Sequence, residues 1–129
     1  MSTLRLTTIS NQTGSASVPS DTVINGSAKA WVNFNGTGTV AIRASFNVSS
    51  ITDGGVGIYT VNFTNAMPDV NYATFCSGDY SSNGTNVTVP MIYSGQTYST
   101  SAVTVIQVPT GTAGGGQSDS ARYMVAIFR

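Results

Sequence analysis

The chain has 129 residues, a net charge of zero, no histidine, no glutamate and one cysteine. The length suits a single domain. The missing side chains disfavour acid–base catalysis and zinc sites, and the scattered basic residues disfavour nucleic-acid binding. No apolar stretch approaches the ~20 residues that span a bilayer. We therefore expect a protein that is not an enzyme, with no cofactor, no nucleic-acid partner and no membrane insertion.

Residues 1–27 are predicted to form an extended N-terminal arm, and residues 28–129 a β-domain. The arm holds a short alternating run and is otherwise rich in serine, glycine and proline. Such a segment cannot by itself offset the entropy lost on ordering its backbone, ~1–2 kcal/mol per residue. We expect its apolar side chains Leu4, Leu6 and Ile9 to dock on a neighbouring subunit or a larger assembly.

The first predicted strands, AKAWVNFN and TVAIRASF, are separated by a Gly-Thr-Gly break and indicate a hairpin. Their apolar and polar positions alternate, as in half-buried strands. In the first strand, the side chains predicted to share the buried face are Ala28, Ala30, Val32 and Phe34. In the second, those that alternate with Ala41, Arg43 and Ser45 are Val40, Ile42, Ala44 and Phe46.

A turn at residues 52–55, TDGG, precedes the strand GIYTVNF, in which Tyr59, Val61 and Phe63 share one face. The runs NYATFCS, NVTVPMIY and SAVTVIQV continue the series. Pro90 marks an edge strand or a bulge, because proline cannot donate to a sheet ladder.

The last run, ARYMVAIFR, alternates and is predicted to end the chain inside a sheet. It and TVIQV carry apolar residues on both faces, so each needs a second layer beyond the domain's own core. We expect that layer to be another subunit. The alternative is a monomeric sandwich with some exposed valine and isoleucine.

Seven or eight short strands without a helical period predict an all-β fold, an antiparallel β-sandwich or small barrel. Because the lone Cys76 cannot form an internal disulfide, stability must come from packing or from association between copies. Cys76 has no basic neighbour in the sequence, which predicts buried packing for its side chain.

The aspartates are the remaining candidates for chemistry. Asp53, Asp69, Asp79 and Asp119 could form a catalytic pair in space, but each lies in a turn-like context where local capping is expected. No metal site is predicted from the spacing of oxygen ligands, with a cation on a symmetry axis left as an alternative.

Surface recognition is the other candidate activity. Tyr80, Asn83, Tyr93 and Tyr98 lie in predicted loops rich in serine and asparagine. Tyrosine rings stack on sugar faces and offer rigid contact area, so these residues are candidates for binding a host glycan. The alternative is that the tyrosines flank strands and pack there.

The segment AKAWVNFNGTGTVAIRASFNVSSITDGGVGIYTVNFTNAMPDVNYATFCSG, together with the opening MSTLRLTTIS and the ending MVAIFR, resembles short tail-fibre-like proteins of tailed, marine-type bacteriophages. The run YTVNFTNAMPD is also similar, more loosely, to strands of the six-stranded sandwich of fibre tips and H-type lectins. The resemblance implies an all-β, homotrimeric, non-enzymatic protein of the virion surface, in some cases binding host glycans. It carries over no individual site residue.

The expected function is that of a tail-fibre-type virion structural protein, made in the host bacterial cytoplasm. Its expected partners are other copies of itself, other virion proteins of the tail or capsid, and a host surface glycan. Because the sequence shows no shaft, coiled coil or collagen-like repeat, the alternative is a capsid decoration protein that strengthens the phage head.

Overall fold

The computed structural model describes residues 3–79, 87–93, 97–110 and 116–129. These residues are mostly β with one short helix, in agreement with the predicted all-β class. The elements of the arm are β1 (Thr8–Ser10), β2 (Ser17–Pro19) and α1 (Ser20–Gly26). The elements of the β-domain are β3 (Ala28–Asn35), β4 (Ala41–Phe46), β5 (Val48–Asp53), β6 (Ile58–Phe63), β7 (Ala73–Gly78), β8 (Val87–Ile92), β9 (Ala102–Thr110) and β10 (Tyr123–Phe128).

The eight strands that the structure describes in the β-domain form two four-stranded antiparallel sheets. Sheet I has the order β4-β3-β10-β7, and sheet II has the order β5-β6-β9-β8. The predicted hairpin is confirmed as β3 and β4. Pro90 lies on β8, at the edge of sheet II, which confirms the edge-strand alternative. The prediction that the last run lies inside a sheet is confirmed, since β10 is flanked by β3 and β7.

One hydrophobic cluster draws side chains from both sheets. The face that Tyr59, Val61 and Phe63 share on β6 is buried in this core, and the predicted face of β3 is confirmed at Ala30, Val32 and Phe34. Ala28 was wrongly assigned to that face: it is half-buried and outside the core, because the register with β10 shifts between Ala30 and Ala28. The ring of Phe34 lies 5.1 Å from that of Tyr59 and 5.2 Å from that of Tyr123. Aromatic pairs of this kind contribute ~0.5–1.5 kcal/mol beyond the burial of their area.

Strand β4 departs from the predicted alternation. Asn33 pairs with Ala44 but the next residue, Phe34, pairs with Ile42, so Arg43 is an extra residue that forms a β-bulge. A bulge reverses the phase of a strand, because side chains alternate with a period of two. Ile42 therefore shares the side of Phe34, whereas Ala44 and Phe46 project to the other side. Every residue of β4 is exposed.

Strand β9 also corrects the sequence analysis. All six residues from Ala102 to Gln107 are buried within a single copy, including the polar Thr104 and Gln107. The hydroxyl oxygens of Thr60 and Thr104 lie 2.8 Å apart, so β6 gives Thr104 a hydrogen-bond partner. The expectation that β9 needs a second subunit as cover was wrong.

The arm, which was predicted to be extended, contains a β-hairpin and a short helix. A turn closes β1 onto β2, with Gly14 at a φ of +70° and its N–H donating to the carbonyl of Asn11 at 3.0 Å. The side-chain Oδ1 of Asn11 also accepts from the N–H of Ala16 at 3.2 Å. Proline at position 19 then precedes α1, which has no buried residue.

Candidate functional site

The outward face of sheet I carries a row of aromatic side chains that crosses four strands. Phe46 of β4 lies opposite Trp31 of β3, Trp31 opposite Ala126 of β10, and Ala126 opposite Phe75 of β7. Paired residues of neighbouring strands project from the same face of a sheet. Because Trp31 alternates with the buried Ala30 and Val32, this face points away from the core. We call Phe46, Trp31, Ala126 and Phe75 the aromatic row.

The aromatic row is exposed and has a depression at its centre. Phe75 is 63% exposed, Phe46 55% and Trp31 41%. The small side chain of Ala126 lies between the rings of Trp31 and Phe75 and leaves a depression of about 370 Å³. The edge of Phe128 packs on Phe75, with ring centroids 5.7 Å apart.

The lining of this depression is almost entirely apolar. Met124 lies beside the aromatic row, while Asn33 and Ser77 are the polar side chains that point outward there, and no residue of the lining is charged. A site of this composition has nothing to hold a charged ligand in one orientation. Contiguous exposed apolar patches commonly mark protein–protein contacts.

The predicted docking residues of the arm form a second apolar surface. Leu4 is 81% exposed, and Leu6 and Ile9 are also exposed. Together with Val23 and Ile24 of α1 they surround another depression, which Arg5 and Asp21 flank. Among the described elements, β1 and α1 pack on β2, and none of the three packs extensively on either sheet. The apolar side chains of the arm therefore remain exposed in a single copy.

The candidate glycan residues fall into two groups. Tyr80 and Asn83 lie outside the described residues. Tyr98 stacks on Tyr72, with ring centroids 4.5 Å apart, and its hydroxyl donates to the carbonyl of Tyr72. Tyr93 is half-buried, and its N–H donates to the carbonyl of Thr104 at 3.2 Å. Tyr98 thus packs against strands, and a receptor role for the four residues stays a prediction.

Asp119 has a tertiary role that the sequence analysis missed. Its Oδ1 accepts from the N–H of Gly57 at 2.8 Å and lies 2.7 Å from the hydroxyl of Tyr59. The same hydroxyl lies 2.8 Å from the carbonyl oxygen of Gly36. Burial, and then the neighbouring Asp119 carboxylate, raise the pKa of Tyr59 above its ordinary value. The expectation of local capping was wrong for Asp119, because these partners lie about 60 residues away.

The predicted local capping is confirmed at two other aspartates. Oδ1 of Asp53 accepts from the N–H of Gly55 at 2.9 Å, and Oδ1 of Asp69 accepts from the N–H of Asn71 at 2.8 Å. Asp69 also pairs with Arg129, whose hydrogen bonds lower the pKa of Asp69 to about 2.

Asp79 lies in an ion pair with Arg122, with 3.6 Å between the two charged groups. The part of the chain that the structure describes holds no group of three or more histidine, cysteine, aspartate or glutamate residues placed to bind a metal.

Cys76 packs against the core, as predicted. It pairs with Val125 of β10, on the inner face of sheet I, and is partly buried. Burial raises the pKa of the Cys76 thiol to about 11. Because the thiolate is the reactive form, this environment suppresses its nucleophilicity at neutral pH.

The sequence carried only part of the signal for the aromatic row. Alternation in β3 placed Trp31 on the face opposite the predicted core. Phe46, however, was grouped with Ile42, because the bulge at Arg43 leaves no mark in the alternation. Phe75 lies on β7, and which strand it faces depends on the order of strands in sheet I.

Comparisons of the chain with protein-family models, with curated proteins and with solved structures gave no match. The resemblance to tail-fibre-like phage proteins therefore stays a prediction. Among the described residues, no helix is long and apolar enough to cross a membrane.

Proposed function

We propose that this protein is a structural subunit of a bacteriophage particle, of the tail-fibre type, whose copies associate as homotrimers of β-sandwich domains. The observation that carries the proposal is the pair of uncovered apolar surfaces, the aromatic row and the arm. Burial of such surfaces against other subunits would add to the stability that the hydrophobic core of each copy supplies.

The arm supports a role in assembly. Its described residues, 3–27, contribute no side chain to the hydrophobic core of the β-domain. Their ordering costs ~1–2 kcal/mol per residue in backbone entropy. Contacts with another protein would offset that cost, because they would bury Leu4, Leu6 and Ile9, which are exposed in a single copy.

A structural role also suits the candidate chemical groups. The thiol of Cys76 is partly buried with a raised pKa, and Asp53 and Asp69 cap the turns in which they lie. Asp119 holds two loops together through Tyr59 and Gly57. A structural explanation for each of these groups supports the proposal of a structural role.

The proposal is tested on particles purified from a lysate of the host that carries the gene. Quantitative mass spectrometry should find the chain in the particles at a few dozen copies or fewer. Hundreds of copies would instead favour the alternative, a capsid decoration protein. If the chain stayed wholly in the soluble fraction, separate from the particles, both virion functions would be rejected.

Host glycan binding is a separate part of this proposal. Purified protein would be applied to a glycan array, beside variants in which Tyr80 or Tyr93 is replaced by alanine. Binding that these substitutions abolish would support the receptor role. Val56→Ala is the control, because it removes an exposed apolar side chain outside the tyrosine loops, the aromatic row and the arm. Equal loss in all three variants would argue against the tyrosine loops.

A further inference from the structure

We propose that the aromatic row of one copy binds the apolar side chains of the arm of a second copy. The proposal rests on the proposed function, in that copies associate, and adds which surfaces meet. The depression above Ala126 would receive the apolar side chains of the arm, which are Leu4, Leu6, Ile9, Val23 and Ile24.

The two surfaces match in chemistry. Both are formed by apolar side chains that are exposed in a single copy. The lining of the depression has no charged residue, so a charged partner would lose hydration without gaining an ion pair. In the arm, Arg5 and Asp21 lie around the apolar group and can stay at the polar rim of the contact.

The area is close to what a specific interface requires. Three aromatic side chains of ~150–250 Å² each, about half exposed, offer roughly 300 Å². Burial of apolar area is worth ~25 cal/mol per Å², and a fully buried aliphatic side chain is worth ~1.5–3 kcal/mol, so the ratio of the two values gives the area of one side chain. By this measure the five partly exposed aliphatic side chains of the arm offer roughly 250 Å² more. A specific interface of ~1,200 Å², about 57% apolar, buries roughly 700 Å² of apolar area. The two surfaces thus supply most of that amount.

The geometry of such a contact favours a closed ring. The arm and the aromatic row are different patches, so their contact is heterologous, and repetition of a heterologous contact closes a ring when the rotation permits. The net charge of zero means that copies do not repel one another over long range. A homotrimer would contain three identical contacts of this kind.

The test uses two variants of the full chain, analysed by size-exclusion chromatography with light scattering. The row variant carries Phe46→Glu and Phe75→Glu, and the arm variant carries Leu4→Asp and Leu6→Asp. Each should raise the dissociation constant of self-association by roughly 100-fold or more, because a carboxylate would be desolvated in the contact.

Mixing the two variants gives the decisive result. The row variant keeps a native arm and the arm variant keeps a native row, so an equal mixture can form one contact and should yield a 1:1 heterodimer. A matched control variant, with Val56→Glu and Val70→Glu, changes exposed apolar residues outside both surfaces and should assemble like the wild type.

Three results would overturn the inference: an oligomeric row variant, a mixture that stays monomeric, or a wild-type chain that is monomeric at ~100 µM. The presence or absence of the chain in purified particles is measured independently, so the proposed function can stand when this contact fails. Circular dichroism checks that each variant is folded. If a variant is unfolded, the experiment instead uses the wild-type chain with a photo-crosslinking residue in place of Leu6. Isotope-labelled and unlabelled copies are mixed, so that crosslinks between copies can be recognised. Crosslinks between copies should then reach β3, β4, β7 or β10, and crosslinks elsewhere would contradict the proposal.

Discussion

The hydroxyl of Tyr59 lies 2.7 Å from Oδ1 of Asp119, a residue 60 positions further along the chain. Tyr59 is fully buried in the core, and Asp119 also accepts from the N–H of Gly57. One carboxylate therefore connects the segment before β10 to the turn before β6. This link holds sheets I and II together at one end of the β-domain.

We expect Asp119→Ala to lower the free energy of unfolding by about 2–4 kcal/mol. The substitution removes two charge-assisted hydrogen bonds, each worth ~1.5–3 kcal/mol, and leaves a donor on the buried Tyr59 without this carboxylate. Urea denaturation followed by tyrosine and tryptophan fluorescence measures the change. Asp53→Ala is the control, because Asp53 is exposed and caps only its own turn, and it should cost less than ~1 kcal/mol. Equal costs would contradict a tertiary role for Asp119.

We expect Gly57→Ala to destabilise the protein far more than Gly38→Ala. Both glycines have a positive φ, +65° and +62°, so both variants carry the left-handed penalty of ~1–2 kcal/mol. A Cβ at position 57 would also lie 2.7 Å from the backbone N and O of Ser118, whereas at position 38 it meets nothing within 4 Å. Thermal unfolding should show an additional loss of ~1–3 kcal/mol for Gly57→Ala. Indistinguishable midpoints would show that residues 117–118 do not pack on Gly57.

The ion pair of Asp69 and Arg129 should make stability depend on pH in acid. The pKa of Asp69 is lowered to about 2 in the folded protein, chiefly by hydrogen bonds from Arg129, against ~3.9 in an unfolded chain. A lowered pKa contributes stability above pH ~4, and that contribution is lost as the pH falls toward 2. The urea midpoints of wild type and Asp69→Asn should therefore differ at pH 6 and converge at pH 2. Arg129→Gln should remove the same pH dependence, and a difference that persisted at pH 2 would contradict the assignment.

Cys76 should react slowly with iodoacetamide in the native protein. Its pKa is about 11 because of burial, against an ordinary value of 9.0, so its thiolate population near pH 8 is about 100-fold lower than that of an ordinary cysteine. Mass spectrometry would measure the rate of alkylation at pH 8. The same protein in concentrated urea is the control and should react at the rate of a free cysteine. Equal rates in the two conditions would show that the thiol is not protected.

Local pattern was sufficient to predict much of the β-domain. Alternation predicted which residues share a face on β3 and β6, apart from Ala28, because a residue's face follows from its own position in a strand. Pro90 indicated an edge, and Asp53 indicated a capped turn, because each effect acts within a few residues. The predicted class, the β3–β4 hairpin and these core faces agree with the structure.

The errors arose where a distant element decided the outcome. Arg43 becomes a bulge only because β3 pairs with β4 in a register that has no place for it. Strand β9 was expected to need a second subunit, but it is buried within one copy. The arm folds back as β1 and β2 through the turn that contains Gly14, which shortens the predicted extended segment.

The alternating runs of the sequence were enough to predict strands β3, β4 and β6 to β10, the shared faces of β3 and β6 and the apolar nature of the arm. That Phe46, Trp31 and Phe75 share one row, and that Asp119 meets Tyr59, followed from the folded structure alone. Alternation and capping act over a few residues, whereas a cross-sheet row and a buried hydrogen bond require strands to be ordered side by side. Strand order depends on the packing of the whole core, which no short stretch of sequence specifies.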